Sequence, residues 1–345
     1  MKLNSRFFAI LNDETLRPET AEKPFFSETH NIGYAAIFER SSEMNVSVLL
    51  AHDGDYFEGK VRAAWYYGQG KWHKGGVQEI YGIYDKFQSS TPWGRQILAD
   101  AASRGIPIFN DPMLSMVVDD KLLSYVNFSD VMPYTAYFNK GNSDIQKVVH
   151  DFQEQCKFHG YGEIASFVCK PQTGHAAKNV FRFDQNNIMD IFSIPDGEYV
   201  LQPFIESIEG IPDVGIKGRH DVRLILANGE FVTSFVRQPK KHHDFISNYF
   251  DAKEMIYFHR EEEVPKGFLA VAKKMDQKFA HIRPRLLSYD LVRDQHTGRV
   301  LCFEMNARPG VMFDPENPND VAGARLLHIG ILRCIEDCIR TRTGA

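Results

Sequence analysis

Cysteine is sparse in this sequence and widely spread. Cys156, Cys169, Cys302, Cys334 and Cys338 include no pair at CxxC spacing, and their odd number suits a reduced protein better than a disulfide framework. Cys334 and Cys338 stand four apart on an expected helix, where core packing accounts for them. No apolar run approaches the roughly 20 residues of a membrane span. The N-terminal FFAIL runs straight into Asn-Asp-Glu and is too short for a secretory signal core. Positive charge is not in excess: 45 acidic against 40 basic residues give a formal charge of -5, which argues against general nucleic-acid binding. The sequence shows no internal repeat and no low-complexity tract. GQGKWHKGG lacks the strand, glycine turn and helix order of a phosphate loop and reads as a hairpin or loop. What remains is a soluble cytoplasmic protein of ordinary globular composition, whose 345 residues call for two or three lobes.

Apolar periodicity predicts strands over residues 6–11, 46–51, 56–67 (one or two) and 79–84, and helices over 31–43 and 91–104. A short piece at 106–109 closes this unit. Strands alternating with helices predict an α/β sheet, largely parallel. From Pro112 the character changes. A helix is expected over 113–128, a strand over 133–138, a helix over 145–159, strands over 166–170 and 180–183, and an extended segment over 199–205. Strands 220–227 and 230–237 turn at Asn228-Gly229. A basic loop, QPKKHHD, follows, and then helices over 263–282 and 321–341.

Residues 286–311, LLSYDLVRDQHTGRVLCFEMNARPGV, read as two strands joined by a polar turn. Asp290, Glu304 and Asn306 are the oxygen ligands in it. Glu304 and Asn306, two apart, share a strand face. A hairpin centred on Thr297 puts Asp290 opposite Glu304 and on that face; a slip of one residue puts it on the other. Two carboxylates and an amide oxygen suit a hard cation such as Mg²⁺. Three polar residues on a solvated strand face are the alternative.

Taken in order, these pieces resemble the ATP-grasp superfamily, and within it glutathione synthetase and the RimK-type carboxylate–amine ligases. The resemblance is weak over residues 1–105 and strong over 109–311. It rests on FNDPMLSMVVDDK with Pro133 and Thr135, on FVCKPQTGHAAKNV, on YVLQPFIES, on HDVRLILANGEFVTSFVRQP and on EMNARPG. It implies an N-terminal α/β domain over 1–111, a small lobe over 112–200 and a C-terminal lobe over 201–345 that clasp ATP between them. In the family Lys121 and Lys170 correspond to lysines on the ATP phosphates. Lys170 ends an apolar strand, where an anionic partner would justify its burial. The loop after it carries only Gly174 where the family has two or three glycines, with Lys178 and His175 as further charges. Backbone groups from Gln202 through Phe204 to Ile205 correspond to the adenine hinge and Glu206 to the ribose-binding acid. Gln202 stands where an acid is common, and its amide is able both to donate to and accept from adenine.

Arg223 corresponds to the arginine that grips the transferring phosphoryl group, Arg237 to one on the substrate carboxylate or acyl phosphate, and Asn248 to a substrate-site asparagine lacking its usual glycines. Asp290, Glu304 and Asn306 would hold one or two Mg²⁺, with Mn²⁺ an alternative. The implied reaction is ADP-forming: ATP activates a carboxylate as an acyl phosphate, and an amino acid or peptide amine displaces phosphate. Basic clusters at Lys217, Arg219, Lys240, Lys241, His242 and His243 point to an anionic acceptor or to a solvated loop. An ATP-grasp kinase acting on a small polyol and a non-catalytic nucleotide-binding protein are the competing functions. No nucleic acid or membrane partner is expected, and a homo-oligomer is compatible with the family.

Overall fold

The computed structural model describes residues 7–18, 22–174, 178–240 and 252–343. His175, Lys241, His242, His243 and Asn248 lie outside them. The N-terminal part forms β1 (Phe7–Asn12), α1 (Glu28–Glu43), β2 (Val48–His52), β3 (Tyr56–Phe57), β4 (Lys60–Val61), β5 (Ala64–Gly68), β6 (Lys71–Gly75), β7 (Gln78–Lys86), α2 (Pro92–Ser103) and β8 (Ile108–Phe109). These strands make one sheet in the order β3-β4-β7-β1-β2-β5-β6, with β8 beside β7. β1 pairs in parallel with β2 and β7, and β7 with β8. The outer pairs are antiparallel hairpin partners, because their connections are too short for a crossover. The expected parallel sheet is therefore its centre, where strands buried on both faces read as continuous apolar runs. GQGKWHKGG lies in the β5–β6 hairpin.

Next come α3 (Pro112–Asp119), α4 (Lys121–Phe128), β9 (Ala136–Asn139), α5 (Ile145–Phe158), β10 (Ser166–Pro171), β11 (Phe181–Asp184) and β12 (Glu198–Pro203). The helix expected over 113–128 is two helices. Asp120 leaves the helical conformation and its carboxylate caps the amides of Leu122 and Leu123. β11-β10-β12-β9 form an antiparallel sheet.

The last part holds β13 (Asp221–Ala227), β14 (Glu230–Pro239), β15 (Ala252–Phe258), α6 (Phe268–Gln277), β16 (Leu286–Arg293), β17 (Val300–Asn306) and α7 (Pro318–Thr343). The strands form an antiparallel sheet ordered β15-β14-β13-β16-β17. β13 and β14 turn at Asn228 and Gly229, both at positive φ (53° and 91°), as a tight two-residue hairpin requires. α6 starts later than the expected residue 263, since Pro265 and Gly267 (φ 86°) hold the preceding chain out of the helix. β15 was not expected: its apolar residues run consecutively from Met255 to Phe258 rather than alternating.

Alternation along β13 sorts its residues between two faces. Val222, Leu224 and Leu226 pack with Leu287, Tyr289 and Leu291 of β16 against α6 and against Phe128 at the end of α4. On the other face, Ile225 and Leu286 join Leu327, Ile331 and Ile335 of α7 and the buried Phe8, Ile10 and Tyr84 of the first sheet. Arg223 and Asp290 continue that second face beyond its apolar end. Gly33 of α1 passes so near the chain after β17 that a Cβ there would lie 2.6 Å from the Val311 carbonyl oxygen. Among the described residues, no helix is long and apolar enough to cross a membrane.

Candidate functional site

Strand register sets the first half of the site. Tyr257 pairs with Phe235, Phe235 with Arg223, Arg223 with Asp290 and Asp290 with Glu304. Residues directly opposite in an antiparallel ladder point to one face, so these five form a row across the sheet. At about 4.8 Å per strand it spans roughly 19 Å. Ser288 and Asn306 pair in the adjoining position. The register that puts Asp290 on the face of Glu304 is thus the one present.

Arg223 donates from Nε and Nη2 to the two carboxylate oxygens of Asp290, at 2.7 and 2.6 Å. Arg237 grips Asp221 in the same forked way, at 2.8 and 2.5 Å, and also reaches Asp290 at 3.0 Å. All but Arg223 are buried, and Arg223 nearly so. Burial opposes charge on Asp290, but the two guanidiniums outweigh it and hold its carboxyl far below the usual range. Burial dominates for Asp221 and pushes it upward against the pull of Arg237. Both guanidiniums keep N–H donors for a ligand, since each carries five.

Glu304 is half-buried, and one of its oxygens lies 3.8 Å from Nζ of Lys121. Lys121 opens α4, is only 7% exposed, and donates to the carbonyl of Gly174. That contact, the backbone bond from Lys121 to Gln172 and the Asp120–Thr173 bridge bring the loop after β10 to the α3–α4 junction. Lys170 donates to Oε1 of Gln202 at 2.9 Å and lies 5.0 Å from the Phe303 ring. Burial drives its pKa down to about 8, partly offset by Glu304. Lys121, Lys170, Arg223 and Arg237 thus stand around Asp221, Asp290 and Glu304, four cations against three carboxylates.

Asp290, Glu304 and Asn306 offer oxygen donors on one face. Asn306 accepts from the amide of Arg308, and Asp290 has most of its lone pairs on arginines. Among the described residues no three His, Cys, Asp or Glu side chains form a metal cluster on their own. A hard cation fits here with Glu304 and Asn306 as the open donors, Asp290 beside them, and ligand oxygens completing the shell.

At the expected hinge the side chains engage one another. The Gln202 amide is enclosed, with Oε1 on Lys170 and Nε2 on Thr135. It supports the lysine rather than standing free to read a base. The amide of Phe204 is bonded to the Ser166 carbonyl, which leaves Ile205 as the next backbone along. Glu206 is not open either: Arg182 and Arg219 bind its carboxylate at 3.2 and 3.1 Å and also approach the Phe204 ring, at 4.0 and 5.4 Å. Arg219, expected on the substrate side, belongs to this hinge cluster. Lys217 and Lys178 are exposed, and among the described residues no hydrogen bond or ion pair ties Lys178 to the other site residues.

Sequence patterns did not reveal the support at the exit of the hairpin. Arg308 donates to Asp85 and Ser89 at 2.6 and 2.7 Å and pairs with Asp119. Lys86 donates to the carbonyls of Arg308 and Pro309 at 3.2 and 2.7 Å. Burial pushes Asp85 up to about 6 and Lys86 down to about 7. The available signal was an Asp-Lys pair at the carboxyl end of a central parallel strand, where open α/β sheets place functional groups.

No family model and no curated protein matches this sequence. Solved structures do resemble the fold. D-cycloserine synthetase DcsG is similar at 15% identity with a TM-score of 0.61, over 95% of this chain and 99% of that one. The D-alanine–D-alanine ligase from Bacillus anthracis, also solved with ATP, is similar at 15% identity and a TM-score of 0.59, over 99% of both chains. The ATP-grasp ligase PsnB complexed with minimal precursor, Mg and ADP is similar at 12% identity and a TM-score of 0.52, over 94% of this chain and 98% of that one. At such identities the likeness is one of fold.

Proposed function

We propose that this chain, which has the ATP-grasp fold, is an ATP-dependent ligase that joins a carboxylic acid to an amine and releases ADP and phosphate. The observation that carries this reading is the row Arg223–Asp290–Glu304 with Lys121 beside it. With Arg237 bonded to Asp290, it sets two guanidiniums suited to a carboxylate and a phosphoryl group next to oxygen donors suited to Mg²⁺.

In this reading Lys121 and Lys170 bind the phosphates of ATP, and the backbone near Ile205 meets the base. Glu304 and Asn306, with Asp290 beside them, would hold Mg²⁺, which would screen the negative charge that otherwise keeps triphosphate and carboxylate apart. Arg237 orients the acid while Arg223 follows the γ-phosphoryl group. A carboxylate oxygen attacks the γ-phosphorus and ADP leaves, giving an acyl phosphate. The amine nitrogen then attacks the acyl carbon, loses a proton, and phosphate departs with the former carboxylate oxygen. The protein forms no covalent bond; it positions the reactants and neutralises charge. The organisation into an N-terminal domain over 1–111 and lobes over 112–200 and 201–345 belongs to the same proposal, as does a peptide or amino-acid acceptor.

The test is incubation with ATP, Mg²⁺ and a panel of carboxylic acids, with hydroxylamine as trapping amine. Hydroxamate together with ADP is the expected result. AMP release, or ADP with a stable phosphorylated product, would overturn the ligase reading.

A further inference from the structure

A pocket opens on the sheet face just past the arginines. Arg223 and Arg237 form its inner end, Phe235 and Tyr257 line it, and α7 closes it at Gly323 and Leu327. The two rings, 5.4 Å apart and tilted by 43°, are half-buried, while Ile225 and Leu327 beneath them are buried. Asp320 is the acid in the wall. Its carboxylate already accepts the Tyr257 hydroxyl at 2.5 Å and the Asp314 amide at 2.7 Å. The pocket therefore pairs cationic donors at one end with an aromatic and aliphatic interior, and the one carboxylate among its described lining residues is bound into the wall. Gly323 sets its width: a Cβ there would stand 3.0 and 3.2 Å from ring carbons of Tyr257, so the ring rests on α7 because residue 323 has no side chain.

We propose that this pocket selects the acid that is activated: a carboxylate with a compact apolar or aromatic side chain, its carboxylate at Arg223 and Arg237 and its side chain between Phe235, Tyr257 and α7. The assignment rests on the ligase reading for its role, and on the chemistry of the pocket for its ligand. A cationic side chain would lose water here and meet no spare carboxylate among the described lining residues, and an anionic one would have to share the two guanidiniums with the acid's own carboxylate. Glycine would leave the aromatic surface uncovered. The row across the sheet fits this direction, with the acid at the Phe235 end and phosphate at the Glu304 end.

The test measures binding and chemistry separately, on the full chain with Mg²⁺. Calorimetry in the presence of a non-hydrolysable ATP analogue compares phenylalanine, leucine and valine with glycine, aspartate and lysine. The apolar acids are expected to bind roughly tenfold or more tightly than glycine, the charged ones more weakly still. Phe235→Ala should erase most of that preference. Gly323→Ala, which pushes the Tyr257 ring into the pocket and removes nothing, should disfavour phenylalanine more than valine. It keeps the test open where Phe235→Ala does not fold. A charged acid or glycine binding best, or a preference unchanged in Gly323→Ala, would overturn the assignment. Apolar acids that bind with this selectivity but give no hydroxamate would support the pocket and sink the ligase reading. Hydroxamate formed from charged acids alone would do the reverse.

Discussion

On the five-stranded sheet the site side chains are fixed by strand register, whereas around β12 they are fixed by one another. Arg223, Asp290 and Glu304 share a face because their strands are paired in a particular register, and any fold that keeps the ladder keeps the row. Lys170, Gln202 and Thr135 form a chain of hydrogen bonds, as do Arg182, Glu206 and Arg219, and in these clusters each side chain holds its position through its neighbour. The first arrangement presents charge rigidly and at depth. The second holds it through contacts that a bound nucleotide has to enter or replace.

Substitutions should separate the two regions. The largest effect is expected from Arg237→Ala. It leaves the buried Asp221 without its cation and Asp290 with Arg223 alone, and urea unfolding should show a loss of about 3–5 kcal/mol together with loss of turnover. A stability within about 1 kcal/mol of wild type would mean that the row is not held as described. Next, Glu304→Gln should lower ADP formation by on the order of 10²–10³. Because Glu304 is half-exposed and its ion pair is long, its unfolding curve should move by less than about 1 kcal/mol. Full activity in this variant would reject it as a metal ligand.

The β12 side should respond more to pH. The pKa of Lys170 is lowered to about 8, so above that value the folded protein has lost a proton that the unfolded chain still binds. Stability should therefore rise with pH from about 8 towards the ordinary lysine range, and Lys170→Met should remove that rise. For the same reason the affinity for an ATP analogue should fall as pH passes about 8. Lys170→Arg, charged throughout, should flatten the profile, and an identical profile would separate Lys170 from the phosphates. The smallest effect is expected for Glu206→Gln, which loosens two partly exposed ion pairs. The KM for ATP should change by no more than roughly fivefold, the equivalent of about 1 kcal/mol.

The sequence was most legible where function depends on period and order. Alternation along residues 286–306 put Glu304 and Asn306 on one face but left the side of Asp290 open; the pairing leaves the turn as Arg293–Val300 to Leu291–Cys302, and a shift of one residue between Leu291 and Asp290 sets Asp290 opposite Glu304. The Asn228-Gly229 turn marked the β13–β14 hairpin, while the pairing of Arg237 with Asp221 also needs the shift of register between Ile225 and Leu226. Legibility ended where a side chain chose among partners distant in sequence. Nothing near Gln202 signals that Lys170 and Thr135 will occupy both ends of its amide, and nothing near Arg308 signals Asp85. Such contacts depend on how sheets and helices dock, and local propensity does not encode that. β15 was lost for a related reason: as an edge strand it pairs on one side only, and its apolar run lacks the alternation that marks strands in sequence.

The central claim is that a carboxylate oxygen attacks the γ-phosphorus of ATP. It is tested most directly with an acid labelled with ¹⁸O in both carboxylate oxygens, turned over with ATP, Mg²⁺ and an amine. Mass spectrometry of the released phosphate should find one labelled oxygen in it, with the other retained in the amide. Unlabelled phosphate released alongside amide would show that the acid is not activated as an acyl phosphate, and would contradict the account.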